Sequence, residues 1–330
     1  DSEMKKIFIE ILPSFLECSP SFIPTLRNRG YDVDYVYAEG SEASSREEFM
    51  RKFAGCDACI LCIHHMTAEM MESAPNLKVI AVYGVGTDKI DIQAATKRGI
   101  AVVNAAGGNA VSVAEMTIGH MISLSRSIQR ANIGMYTGIW KNYVGYELNG
   151  KTYGLLGMGA IGEQVARIAK NGFNMKVLAY DVKPRAELER EYGIQYVDLN
   201  TLFSCSDYLS IHTPLLASTK GIVNRTLLKR MKPTAFLVNA SRGGVLNEDD
   251  LLEALTKNWI AGAGLDVYEN EPDSGERFGQ FANVVQTCHM AGNTVDSIVR
   301  MGKSISENVM AVLEGGAPVR NLVNPDYRKY

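Results

Sequence analysis

The chain has 330 residues, 46% hydrophobic and 22% charged, and its 34 basic against 37 acidic side chains leave a formal net charge of −3. Ordinary globular composition at this length predicts about two domains and excludes extended disorder as well as the basic footprint of a nucleic-acid binder. No apolar run approaches the ~18 residues of a membrane span and no signal-peptide pattern opens the chain, so a soluble, cytoplasmic protein without membrane partners is expected.

Residues 1–3 precede Met4 and read as an expression remnant. Strand-like runs then follow at 6–11, 32–37, 58–63, 77–82 and 100–103, with helical stretches such as 46–53 and 92–97 between them. That alternation predicts βαβ units and a parallel sheet. Cys56, Cys59 and Cys62 repeat a CxxC spacing. On a strand, however, Cys59 and Cys62 face opposite ways, so they read as core thiols and no metal site is expected. Six cysteines in so long a chain suit a reducing compartment.

A single helix is expected over 112–136, apolar nearly all round and therefore buried between domains or subunits. After Gly150 a second alternating series runs to about residue 285, and a helix over 295–313 leads into the tail. Two helices flanking the second series predict a nested arrangement. Residues 1–106 and 294–330 form one domain, into which 107–293 is inserted.

Within the inserted part, a strand over 152–156 runs into Gly157-Met158-Gly159-Ala160-Ile161-Gly162, which opens a helix. A second strand over 176–180 ends at Asp181. A GxGxxG in this context is a dinucleotide-binding turn. Gly157 makes the tight turn, Gly159 admits backbone to a pyrophosphate and Gly162 lets helix and strand pack closely. Ala160 and Ile161 begin the helix whose N-terminus faces the phosphates. Asp181 would accept the ribose diol and repel a 2′-phosphate, favouring NAD over NADP, although Lys183 and Arg185 stand nearby.

Further motifs follow in order. They are Tyr83-Gly84-Val85-Gly86-Thr87-Asp88, Asn104 through Gly107 with Val113-Ala114-Glu115, and Ile211-His212-Thr213-Pro214-Leu215. Then come Val238-Asn239-Ala240-Ser241-Arg242-Gly243-Gly244, Gly264-Leu265-Asp266-Val267-Tyr268-Glu269-Asn270-Glu271-Pro272 and Cys288-His289-Met290-Ala291-Gly292. Over nearly its whole length the chain resembles the NAD-dependent D-2-hydroxyacid dehydrogenases, which include phosphoglycerate, D-lactate and glyoxylate/hydroxypyruvate enzymes. The resemblance implies an α/β fold of two Rossmann-like domains with parallel sheets, the cofactor domain inserted into a flavodoxin-like substrate domain.

It also implies Arg242, Glu271 and His289 as the catalytic trio. Interconverting a hydroxy acid and a keto acid requires a group that gives and takes a proton near neutrality, which suits a histidine. Glu271 would fix its tautomer, while Arg242 would grip the substrate carboxylate and polarise the C2 oxygen. Glu269 competes as the histidine's partner, but the family's glutamate directly precedes proline, which selects Glu271. Tyr83, Gly84, Val85 and Gly86 are implied as a substrate loop. His212, Thr213, Pro214, Ala240, Ser241, Arg242, Asp266, His289 and Gly292 are implied around the cofactor, Asp266 having a loop-capping carboxylate as its alternative.

Departures from the family pattern bear on substrate. Val82 stands where many relatives carry arginine, and the segment Cys62-Ile63-His64-His65-Met66 also lacks one, so a small unphosphorylated 2-keto or 2-hydroxy acid is expected. With the sequence ending at Tyr330, no regulatory domain is expected. Cys288 replaces the usual proline before the histidine and reads as a buried, packed thiol, with a reactive thiolate as its alternative. A phosphoglycerate dehydrogenase and a non-catalytic NAD-sensing corepressor are the competing functions. A two-fold homodimer is expected through the 112–136 helix and Trp140.

Overall fold

The structure, a computed structural model, describes residues 4–38, 45–272 and 275–329, so the remnant expected at 1–3 lies outside it. Contacts divide the chain into one unit of Asp1–Asn109 with Asn293–Tyr330 and a second of Ala110–Gly292, the second inserted into the first.

The first unit holds β1 (Lys6–Ile11), β2 (Asp32–Tyr37), β3 (Ala58–Leu61), β4 (Val79–Val82) and β5 (Ala101–Val103) in a parallel sheet of order β2-β1-β3-β4-β5. Its central strands are continuous apolar runs because helices cover both faces. Ile7, Ile9 and Ile60 pack on one face with Ile298, Ile305 and Val309 of helix Val295–Glu314, whose start is closed by a Thr294–Ser297 capping box. Phe8, Phe49 and Phe53 fill the other face. Cys59 on β3 and Cys56 before it join this second cluster, while Cys62, just past the strand, packs against the first, so Cys59 and Cys62 lie on opposite faces as expected. Burial pushes the thiols of Cys56 and Cys62 up to about 12. The tail closes the β5 edge, where Asn324 accepts from Val102 N at 2.7 Å and donates to Ile100 O at 2.9 Å.

The third strand ends two residues sooner than expected because a buried carboxylate captures the chain. Glu10 is fully buried on β1 and accepts from the Ile63 and His64 amides, each at 2.9 Å, while the His64 ring contacts its second oxygen. Burial alone would raise this carboxyl, but the His64 ring, those two amides and the attraction of His64 together hold it at about 2.

The second unit carries β6 (Thr152–Leu156), β7 (Lys176–Tyr180), β8 (Gln195–Tyr196), β9 (Tyr208–Ile211), β10 (Phe236–Asn239), β11 (Gly262–Leu265) and β12 (Val284–Gln286). All pairings are parallel, in the order β12-β11-β10-β9-β6-β7-β8. The helix expected over 112–136 is instead two, Ala110–Arg126 and Ile128–Tyr136, parted by Ser127 in left-handed conformation at φ 52°. Tyr146 N donates to Ser125 O at 3.0 Å, taking the carbonyl that residue 129 would need to continue the helix. No helix among the described residues is long and apolar enough to cross a membrane.

The Glu10 carboxyl sits below its usual value of 4.5 in the folded state, so its ionisation stabilises the fold above that pH. The contribution is lost as pH falls from 4.5 toward 2. In urea denaturation at a series of pH values, Glu10→Gln is therefore less stable than wild type at pH 6, and the gap closes as pH falls toward 2. A gap independent of pH would contradict this assignment.

Candidate active site

Every strand of the larger sheet delivers its carboxyl end to one edge, and the candidate residues follow those ends. After β6, Gly157 turns the chain at φ +101°, with its carbonyl so close to Gly162 that a Cβ there would approach within 2.3 Å. Helix Ala160–Phe173 then starts at Gly159 without a side-chain cap, and Gly159 and Ala160 are exposed. Uncapped amides with open space above them suit a phosphate. Asp181 accepts from Met158 N at 2.7 Å and from Lys183 N at 2.8 Å, one backbone donor per oxygen. Each oxygen retains a lone pair for a diol.

Beside the turn, at the end of β9, Nδ1 of His212 and Oγ1 of Thr213 are buried without partners among the described residues. Two orphaned polar atoms next to a phosphate cradle are what a bound dinucleotide would satisfy. Ser210 Oγ lies 2.7 Å from His212 Nε2, and desolvation drives the ring down to about 3. His212 is therefore neutral at physiological pH. Pro214 is exposed on the same loop.

The ends of β10, β11 and β12 bring the trio's loops together. Asn239, almost wholly buried, accepts from Ser241 N and Ser241 Oγ and donates to Arg242 O, which rigidifies the turn from Ala240 to Arg242. Gly243 then presses on the 268–271 loop so closely that a Cβ would fall 1.9 Å from the Tyr268 carbonyl carbon. Glu271 Oε2 meets His289 Nδ1 at 2.7 Å, and its other oxygen accepts from Tyr268 N at 3.1 Å. Burial would raise the Glu271 carboxyl, but the hydrogen bond and charge of His289, the Tyr268 amide and the charge of Arg242 leave it below the usual carboxylate value. Glu269 is occupied elsewhere, exchanging hydrogen bonds with Glu248 at the start of helix Glu248–Thr256. The competition between the two glutamates thus resolves geometrically onto Glu271.

His289 adopts φ 52° and stays half exposed because Asp266 clamps the backbone around it. Asp266 O accepts from His289 N at 2.7 Å, and its carboxylate accepts from Met290 N and Ala291 N at 3.0 Å each. Thr287 Oγ1 donates to the same carboxylate at 2.6 Å. Asp266 is 1% exposed, and these bonds make it the cap of the 287–291 segment. Cys288 is exposed, contrary to the buried thiol expected, because the clamp holds the backbone and turns the side chain outward.

In the first unit, the loop after β4 keeps its carbonyls inward. Gly84 O accepts from Ala105 N at 2.8 Å and Val85 O accepts from Asn104 Nδ2 at 2.7 Å. In a trans peptide the following N–H points the opposite way, so the Val85 and Gly86 amides face away from those partners. Tyr83 departs from the substrate-loop expectation. Its ring is buried against Phe15 and Phe22 and its hydroxyl donates to Ile298 O at 2.9 Å, leaving only its backbone to the loop.

Residues 118–291 match the model of the D-isomer specific 2-hydroxyacid dehydrogenase NAD-binding domain. A glyoxylate reductase from Thermococcus litoralis is 39% identical over 295 residues, covering 86% of this chain and 88% of that protein. The chain belongs to the D-isomer specific 2-hydroxyacid dehydrogenase family. A D-3-phosphoglycerate dehydrogenase from Archaeoglobus fulgidus is also 39% identical, over 88% of this chain but only 57% of its own length. Apo D-lactate dehydrogenase from Escherichia coli superposes with a TM-score of 0.83 at 30% identity, covering 96% of this chain and 99% of that one. As a member of this family the protein is an oxidoreductase of CH–OH donors using a nicotinamide cofactor.

Asn239 carries no charge and titrates nothing, so sequence reasoning passed over it as a positioner; its place at the end of an apolar strand, three residues before the arginine, is the available signal. For a dehydrogenase assembled this way, Gly243→Ala must push the Arg242 and Glu271 loops apart. Turnover is expected to fall about 100-fold, the scale of a 1 Å misplacement, with far-UV circular dichroism unchanged. Wild-type kinetics in this variant would contradict the close approach.

Proposed function

We propose that the protein is an NAD-dependent reductase of a small, unphosphorylated 2-keto acid, converting it reversibly to the D-2-hydroxy acid. The contact between Glu271 and His289 Nδ1 carries this reading, because it leaves Nε2 as the nitrogen that exchanges a proton with the substrate oxygen. The ionised Glu271 favours the protonated imidazole that reduction consumes. Arg242, held by the Asn239 turn, binds the substrate carboxylate and polarises the carbonyl. Nicotinamide, when bound, supplies or accepts the hydride. The outward amides of Val85 and Gly86 support the carboxylate-binding role read for their loop.

NAD is favoured over NADP. The Asp181 carboxylate stands at the end of β7, and Arg185 is held by Glu163 and Glu187 at 2.9 Å each, so its charge is engaged away from a 2′-phosphate. Absence of arginine at Val82, together with a His64 tied to Glu10, supports an unphosphorylated substrate. Six free thiols suit a cytoplasmic setting. Exposed Ile133, Tyr136, Ile139, Trp140 and Val144 form an apolar segment that supports a homodimer.

Turnover of a panel of 2-keto acids with NADH tests the proposal. Glyoxylate, hydroxypyruvate or pyruvate should exceed 3-phosphohydroxypyruvate in kcat/KM, and His289→Ala should lower kcat by about two to four orders of magnitude with NADH binding retained. A tenfold preference for the phosphorylated acid, or full turnover by the variant, would overturn the reading. Asp181→Ala should weaken NADH and narrow its margin over NADPH, as read by fluorescence titration; a wild type preferring NADPH would refute the cofactor assignment.

A further inference from the structure

Helix Ala110–Arg126 carries a titratable side chain that the chemistry above does not use. His120 is 3% exposed and sits beneath the carboxyl ends of the larger sheet. Its Nε2 lies 3.1 Å from Thr287 Oγ1. Thr287 has one hydroxyl proton, and it goes to Asp266 Oδ1 at 2.6 Å. The threonine oxygen must therefore accept from His120, which places the imidazole proton on Nε2. His120 Nδ1 is then a bare lone pair, and it has no partner among the described residues. A ring in that state is neutral, and burial indeed lowers the His120 pKa, with the Asp266 charge opposing. The ring lies so close to β11 that a Cβ at Gly264 would come within 2.9 Å of Nδ1.

We infer that His120 is a positioning residue for the acid/base histidine, acting through Thr287 on Asp266. The direction of donation runs one way, from imidazole to hydroxyl to carboxylate. With Thr287 oriented from behind, Asp266 keeps its remaining lone pairs turned to Met290 N and Ala291 N, and its carbonyl to His289 N. A strained left-handed backbone at His289 is held by that set of bonds. Removing the donor at position 120 leaves Thr287 with an unsatisfied buried acceptor and a hydroxyl able to rotate away. The loop then loosens, while the glycine turn and Arg242 are untouched.

The inference rests on the proposed role of His289, so its test reads the loop as well as turnover. Variants His120→Phe, which keeps bulk, His120→Gln, which keeps a donor at similar reach, and Thr287→Val, which removes the hydroxyl, are compared with wild type. Hydrogen exchange should show the amides of 289–291 less protected, by about tenfold, in His120→Phe and Thr287→Val, with protection returned in His120→Gln. Loss of kcat should follow the same order, with KM for NADH little changed. Adding His120→Phe to Thr287→Val should cost nothing further, since the route is already cut. Unchanged protection in both His120→Phe and Thr287→Val, or additive losses in the double variant, overturns the inference. Loosened amides in a protein that turns over no 2-keto acid at all would sustain the positioning role and remove the functional reading instead.

Discussion

Parallel pairing of all seven strands in the larger unit is the constraint from which its chemistry descends. Strands that run the same way end at the same edge, and each ending must break its ladder there, exposing backbone groups and short loops. The glycine turn, His212, Arg242, Asp266, Glu271 and His289 all follow strand ends for that reason. No residue had to be carried to the site by a long excursion; the sheet brings them there in strand order. What remained for the sequence to specify was how closely the loops approach one another, and Gly243 sets that spacing by having no side chain.

Much of this was legible because it depends on local rules. A strand, a GxGxxG, a helix and an acidic strand end are separated by distances that the βαβ unit itself imposes, so the turn could be read directly. The strands at 6–11, 32–37, 152–156 and 176–180 carry their own apolar signature, and their observed bounds coincide with those expected. The unforeseen features involve partners distant in sequence. Ser127 breaks its helix because residue 146 returns to Ser125, and nothing within the helix announces that. Tyr83 turns inward because helix Val295–Glu314 offers it a carbonyl more than two hundred residues away. Cys288 is outward because Asp266 grips the amides after it. The catalytic trio itself was read from family resemblance, since no periodicity distinguishes one histidine of five.

Buried ionisable groups are distributed with a consistent logic. Glu10 is held charged by the His64 ring and two backbone amides, whereas His212 and His120 each have a ring nitrogen without a partner among the described residues, and burial lowers both rings. The open pair, Glu271 with His289, is the one left partly exposed to solvent. Of the imidazoles near that sheet edge, His289 alone pairs with a carboxylate among the described residues, which is why the proposed proton exchange is assigned to it.

Nesting one unit inside the other has a consequence for synthesis. The larger unit is a single continuous stretch, so its entire sheet has left the ribosome before the chain is finished. The smaller unit is different: Ile298, Ile305 and Val309 belong to its core, and Asn324 seals its edge strand, yet all four are made only after the whole inserted stretch. Its five strands must wait, with one apolar face uncovered, through the production and folding of everything inserted after Asn109. During that interval the nascent first unit is the vulnerable part of the molecule, the segment on which chaperones would act and where aggregation would begin.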